Sequence, residues 1–364
     1  MERTVEAICP AGALAFRPGL ARRVYPGDAS PDRIGNPNRV LAGAFRAAHC
    51  SRRRDNRRSA PAGHPPPPRR RRTPGHHDEG IAVTTHHLRI LHLSDLHERV
   101  ALPWMNDDRR TKIRVRAASR VRVLESNFLD ELAQIARAGR IDLVCFTGDV
   151  ADWGLPEEYA RAKTRLRDIL QRVEVAPQRL FLVPGNHDVQ RPTAAEAWQQ
   201  VRQLAAVNPD GLSDWLAGLE PPYGAAPEWL EAMTSRTAAF WNWVEVDWGR
   251  GELCPGRGRH PRLGFAVRLD DLGLPFPVHI VGLDSAWLCG DDHDATQIML
   301  GASQIDLLGR DDNAQPLAGF RLGLVHHPLG HLADGLPCRR LLADTSWRES
   351  GSAEVPRIAP RGKR

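Results

Sequence analysis

No run of about 18 apolar residues occurs in the 364-residue chain, so the sequence holds no ordinary transmembrane helix. The first twenty residues carry Glu2, Arg3, Glu6 and Arg17 and have no continuous apolar stretch, so no secretory leader is expected and the cytoplasm is the default compartment. Cysteine is sparse. Six are scattered (Cys9, Cys50, Cys145, Cys254, Cys289, Cys338) without a CxxC spacing, which argues against a zinc ribbon and a disulfide framework. Cys145, inside an apolar run, reads as a small core residue. Basic excess is missing from most of the chain. Residues 1–85 hold 16 Lys+Arg against 7 Asp+Glu, a balance of +9, and because the whole chain carries +6, the remainder carries −3.

The pI of 9.3 therefore belongs to the N-terminal segment. With SRRRDNRR, PPPP and RRRR within residues 51–72, that segment reads as a disordered Pro/Arg-rich extension over 1–85. It would either attach to nucleic acid by neutralising phosphates or be a solvated or spurious extension from an upstream start. Its arginine run over 51–72 has no interleaved aromatics to stack bases, which favours the second reading.

From residue 88 the pattern becomes regular. Five apolar runs end in polar motifs: LRILHLSDLH (88–97), IDLVCFTGDVAD (141–152), RLFLVPGNHD (179–188), VHIVGLDSAW (278–287) and FRLGLVHHP (320–328). Each reads as a strand covered on both faces. Helical spacing of Val121, Leu124, Phe128, Leu129, Leu132 and Ile135 predicts a helix over 117–138, and another is expected over 157–173. Strands alternating with helices imply an α/β fold with a largely parallel sheet. Residues 190–262 form a tryptophan-rich insertion with helices expected over 194–207 and 227–246, its tryptophans reading as packing anchors. A chain of this length accommodates one α/β domain, here 86–344, plus additions.

The polar motifs share a chemistry. Asp95 and His97 stand two apart, so if the strand geometry continues, both side chains leave on one face and can hold one cation. Asp149 after Gly148 can bridge two cations through its two oxygens. Asn186 offers an amide oxygen to a hard cation, and His187 an imidazole that titrates near neutrality. His326 and His327 close a core strand with two imidazoles that packing does not explain. Carboxylate, imidazole and amide ligands suit Mn, Fe or Zn. Two such ions would generate a hydroxide and clamp a phosphoryl group, while His187 protonates the leaving oxygen, oriented by Asp152 or Asp188.

The order SDLH, GDVAD, GNHD and HHP, each after a hydrophobic strand over residues 88–329, resembles the calcineurin-like metallophosphoesterase superfamily, nearest its bacterial phosphodiesterase-like branch. The resemblance implies a two-sheet sandwich flanked by helices, here with a helical insertion, and hydrolysis of phosphodiesters or phosphomonoesters at a dinuclear centre. It places Asp95 and His97 on the first metal, Asp149 between the metals, Asn186 and His326 on the second, and His187 as the catalytic histidine. His326 is preferred to His327. Two departures stand out. Asp152 is followed by Trp153-Gly154 rather than the Arg-Gly of eukaryotic-type phosphatases, and no GHxH follows HHP. Residues 345–364 read as an irregular tail of the kind a frameshift or truncation leaves. The leading expectation is a metal-dependent phosphoesterase acting on a phosphate-ester substrate, with no membrane partner. The alternatives are an impaired remnant that binds a ligand or partner, and a nucleic-acid-processing phosphodiesterase guided by the basic segment.

Overall fold

Eight short strands form two four-stranded sheets in the computed structural model, which describes residues 4–8, 87–101, 106–108, 110–115, 127–344 and 348–350. The first sheet is parallel throughout, in the order β1 (Thr4–Ile8), β2 (His87–Leu93), β3 (Leu143–Thr147), β4 (Leu180–Val183). Its register pairs Ile90 with Leu143 and Val144 with Leu180. The second sheet runs β5 (Phe265–Leu269), β6 (Val278–Gly282), β7 (Phe320–Leu324), β8 (Arg348–Ser350), with β5 antiparallel to β6 and the rest parallel. Every residue of β3, β4 and β6 is buried, as strands between two layers must be.

The two sheets face each other across one core in which Leu91, Phe146 and Leu182 join Phe265, Ile280 and Leu322. Helices cover the outer faces. α1 (Asn127–Ala138) buries Phe128 and Leu132, and α2 (Pro156–Arg172) buries Tyr159, Leu166 and Leu170. The first half of the predicted 117–138 helix lies outside the described residues, as does the basic part of the N-terminal extension. No helix among the described residues is long and apolar enough to cross a membrane.

The insertion departs from expectation in two places. α3 (Ala195–Val207) matches its prediction, but the expected 227–246 helix divides into α5 (Glu228–Ser235), α6 (Ala238–Asn242) and a π-helical turn at Trp243–Asp247. Hydroxyls cause the break. Thr234, Ser235 and Thr237 each turn their side-chain oxygen back to a carbonyl three residues earlier, which competes with the helix ladder. The extra helix α4 (Pro209–Leu216) starts where Asn208 accepts the Gly211 N–H and Pro209 needs no partner for a missing one. Trp215, Trp241, Trp243 and Trp248 are buried, and Trp243 stacks on Tyr159 of α2 with ring centroids 5.2 Å apart, tying the insertion to the sandwich. Two further helices, α7 (Ala302–Gly309) and α8 (Gly335–Asp344), flank the second sheet.

Three strands fall outside the five predicted runs. β5 alternates buried and exposed residues and carries Arg268, so it has no continuous apolar stretch to detect. β1 and β8 lie in segments expected to be irregular, and each closes an edge whose N–H and C=O groups would otherwise lack ladder partners.

Candidate metal centre

All the polar motifs leave the carboxyl ends of their strands at one edge of the sandwich, where exit loops can converge. The geometry there differs from a simple continuation of β2. Asp95 and His97 do not alternate along an extended strand. Both adopt left-handed backbone (φ 60° and 46°), as does Asp149 (φ 58°), a conformation that Asp and His tolerate better than most residues. Inter-loop hydrogen bonds hold the turn: the N–H groups of Asp95, His97 and Glu98 donate to the carbonyls of Gly148, Asp149 and Val150 at 3.0, 2.8 and 2.9 Å. Three non-glycine residues in left-handed backbone at one edge mark it as a candidate site.

Glycine makes the close approach of the next two loops feasible. A Cβ on Gly148 (φ 85°) would lie 2.5 Å from Nδ1 of His326 and 2.7 Å from Cα of Gly185, and one on Gly185 would lie 2.2 Å from Oδ1 of Asp149. Asp149 thereby reaches the middle of the cluster. Its Oδ2 is 3.4 Å from Nε2 of His97, and its Oδ1 is 3.6 Å from Nε2 of His326 and accepts the His187 N–H at 2.9 Å. Asp95 stands 3.7 Å from His97 Nε2. His97, Asp149 and His187 offer three donor atoms within 4.8 Å of one another.

His326 faces the cluster and His327 does not. Nδ1 of His326 donates to the Thr147 carbonyl at 2.7 Å, so in the neutral ring Nε2 presents a lone pair toward Asn186 Oδ1, 3.2 Å away, and toward Asp149. Lone pairs converging in this way repel one another unless a cation lies between them. A carbonyl behind the ring is also how ligating histidines are ordinarily oriented. The ring of His327 turns instead to Ser285 Oγ (2.9 Å) and Cys289 Sγ (3.7 Å), and burial pushes its pKa well down. The residues present fit a metal group.

Electrostatics points the same way. Burial opposes charging of His97, yet the nearby carboxylates of Asp152, Asp95 and Asp149 prevail and raise its pKa to about 9. Burial would raise the pKa of Asp152, but the Arg99 guanidinium and the nearby imidazoles of His97 and His187 lower it to about 2. The pocket attracts positive charge.

The two candidate partners of His187 sit differently. Its Nδ1 donates to the main-chain carbonyl of Asp152 at 3.0 Å, leaving Nε2 free, and its ring meets that of His97 edge to face at 4.6 Å. Asp188 turns away. Its fully buried carboxylate accepts the N–H groups of Val150, Ala151 and Gly185 and the hydroxyl of Tyr159, at 2.9 to 3.2 Å. Glu158 of α2 similarly accepts the N–H groups of Asp152, Trp153 and Leu155. Sequence reasoning assigned no role to Glu158 or Arg99, because neither lies in a motif.

Asp284, in the fourth apolar run, also went unassigned. It is 1% exposed, accepts the Ala286 N–H at 2.8 Å, and its Oδ2 has no hydrogen-bond partner among the described residues. Burial, against the pull of the Ala286 and Trp287 N–H groups and aided by the Asp188 charge, raises its pKa from 3.8 to about 7. The folded chain thus keeps a proton that the unfolded chain releases, so stability falls as pH rises from about 4 to about 7, by on the order of 4 kcal/mol. Asp284→Asn should be more stable than the parent by a few kcal/mol at pH 8, with the gap closing toward pH 4. Urea unfolding of the metal-free proteins at both pH values measures this. An equal difference at the two would refute it.

A family model described as calcineurin-like phosphoesterase matches residues 88–327, from β2 to the second histidine after β7. No curated protein matches the chain in sequence.

Proposed function

The chain belongs to the calcineurin-like phosphoesterases, and from that premise we propose that it hydrolyses phosphate esters, diesters ahead of monoesters, with a pair of ions of the manganese, iron or zinc kind. The observation that carries this reading is the division of Asp149, one oxygen toward His97 and the other toward His326. Asp95 and His97 would hold one ion, Asn186 and His326 the other, and Asp149 both. Bound ions supply Lewis acidity toward the phosphoryl oxygens and acidify a water.

The remaining work falls to the chain itself. Hydrolysis forms a P–O bond from water and breaks the P–O bond to the leaving group, whose oxygen then needs a proton. Nε2 of His187 is the group that can hold it, because Nδ1 is committed to the Asp152 carbonyl. Glu158 fixes the Asp152 loop through three backbone N–H groups, so the imidazole keeps its aim.

A second reading, a remnant that binds a phosphate ligand without turnover, is favoured by the lack of GHxH in the sequence. One experiment separates the two. Chain loaded with Mn²⁺ should release p-nitrophenol from bis(p-nitrophenyl) phosphate, cease on chelation and recover when Mn²⁺ returns. Bound ions without turnover would establish the second reading instead.

A further inference from the structure

Arg99 reaches into the acidic side of the centre from outside every motif. Its Nη2 lies 2.5 Å from Oδ2 of Asp152, while the other oxygen of that carboxylate stands 3.7 Å from Nδ1 of His97 and 3.8 Å from Nδ1 of His187. Asp152 is 5% exposed, so its carboxylate has little water to turn to. It has two nearby imidazoles and one guanidinium to choose from.

The backbone around Arg99 is pinned from both sides. Glu98 donates to the Val150 carbonyl at 2.9 Å, which continues the ladder between the β2 and β3 exits. The Val100 N–H points to Glu158 at 3.4 Å, the Arg99 carbonyl accepts from Arg161 at 3.2 Å, and Glu98 pairs with Arg165. α2 therefore holds the segment carrying Arg99, and through Glu158 it also holds the segment carrying Asp152. The guanidinium meets the carboxylate at a preset distance, with little chain entropy left to lose.

The consequence concerns His187. Its Nδ1–H has two acceptors within reach, the Asp152 carbonyl at 3.0 Å and the Asp152 carboxylate at 3.8 Å. An unpaired carboxylate is the stronger acceptor. Left to itself it would draw the imidazole across and swing Nε2 away from its present direction.

We propose that Arg99 is a positioning residue for hydrolysis, engaging the Asp152 carboxylate so that His187 stays on the Asp152 carbonyl and aims its Nε2 at the leaving oxygen. This rests on the phosphodiesterase reading above. A partly exposed arginine that merely stabilised the fold would affect all substrates alike, whereas one that aims the proton donor affects most those whose leaving group needs the proton.

The test uses the full chain loaded with Mn²⁺, as wild type, Arg99→Met and Arg99→Lys, with aryl phosphodiesters whose leaving groups run from p-nitrophenol to phenol. For Arg99→Met, kcat should fall about 10-fold to 100-fold with phenol, part of what a general acid contributes. With p-nitrophenol it should fall less than about 3-fold, since that anion departs with little proton assistance. KM and bound Mn²⁺ should hold, and Arg99→Lys should recover much of the loss. An equal loss across leaving groups, a loss of Mn²⁺, or no loss would overturn the proposal while leaving the phosphodiesterase reading intact. Wild-type chain that binds Mn²⁺ and hydrolyses none of the esters would overturn both.

Discussion

Asp149→Asn is expected to release bound ions and lower hydrolysis by on the order of 10³-fold or more, the several kcal/mol that cations supply to a phosphoryl transfer. The substitution isolates the carboxylate from the backbone. Asparagine has the same shape and tolerates left-handed φ as well as aspartate does, so the turn at φ 58° and the hydrogen bond from His187 N–H should survive. What changes is the second oxygen. An amide NH₂ in place of Oδ2, facing His97, replaces a lone pair with donors and leaves one cation position without its shared ligand. Metal analysis of the loaded proteins beside hydrolysis assays measures both effects. Retention of about two ions per chain by the variant would remove Asp149 from the bridging position.

The largest stability effect is expected at Asp188. Its carboxylate is fully buried and accepts from Val150, Ala151, Gly185 and Tyr159, so Asp188→Ala leaves four donors facing a cavity. Each buried donor left unpaired costs about 1–3 kcal/mol, and partial relaxation brings the sum to roughly 3–5 kcal/mol. Asp188 itself is held up at about pH 6 by burial first and the Asp149 charge second, so it is not an ideal anion near neutrality. That does not rescue the alanine variant, because the protonated acid still accepts hydrogen bonds. Urea unfolding at pH 7 should show the loss, and a difference below about 1 kcal/mol would mean that water takes over the four donors. Because these donors belong to the exits of β3 and β4, activity should fall with stability.

Much of this centre was legible in the sequence. Each ligand candidate sits in a motif beside a strand, and the burial of β3, β4 and β6 is written in their unbroken apolar runs. The turn geometry was not. Asp95 and His97 share a site because two loops hydrogen-bond in left-handed conformation, and a spacing of two suggests an extended strand instead. The partners of the site were hidden for another reason. Arg99 meets Asp152, and Glu158 meets the Asp152 loop, only once α2 packs on the sheet, and no local pattern encodes which way such side chains turn. Asp188 was visible as a motif residue, yet whether its carboxylate served an imidazole or three backbone N–H groups depended on tertiary packing. β5 escaped notice because a half-exposed strand alternates where a buried one runs on.

One arrangement extends beyond the site. Asp95, His97, Asp149 and Asn186 follow strands of the first sheet, whereas His326 follows β7 of the second. A cation held by both groups would span the sandwich, so its binding equilibrium and the association of the two sheets would be linked. By mass action, every tenfold rise of free ion above its dissociation constant adds about 1.4 kcal/mol against unfolding. Conversely, core substitutions that loosen the contact between the sheets, such as at Ile280 or Leu322, should then be felt as weaker ion affinity. Tolerance of the hydrophobic interior to mutation would become a function of the ion supply around the molecule, the same variant behaving as sound in a metal-rich medium and as defective in a depleted one.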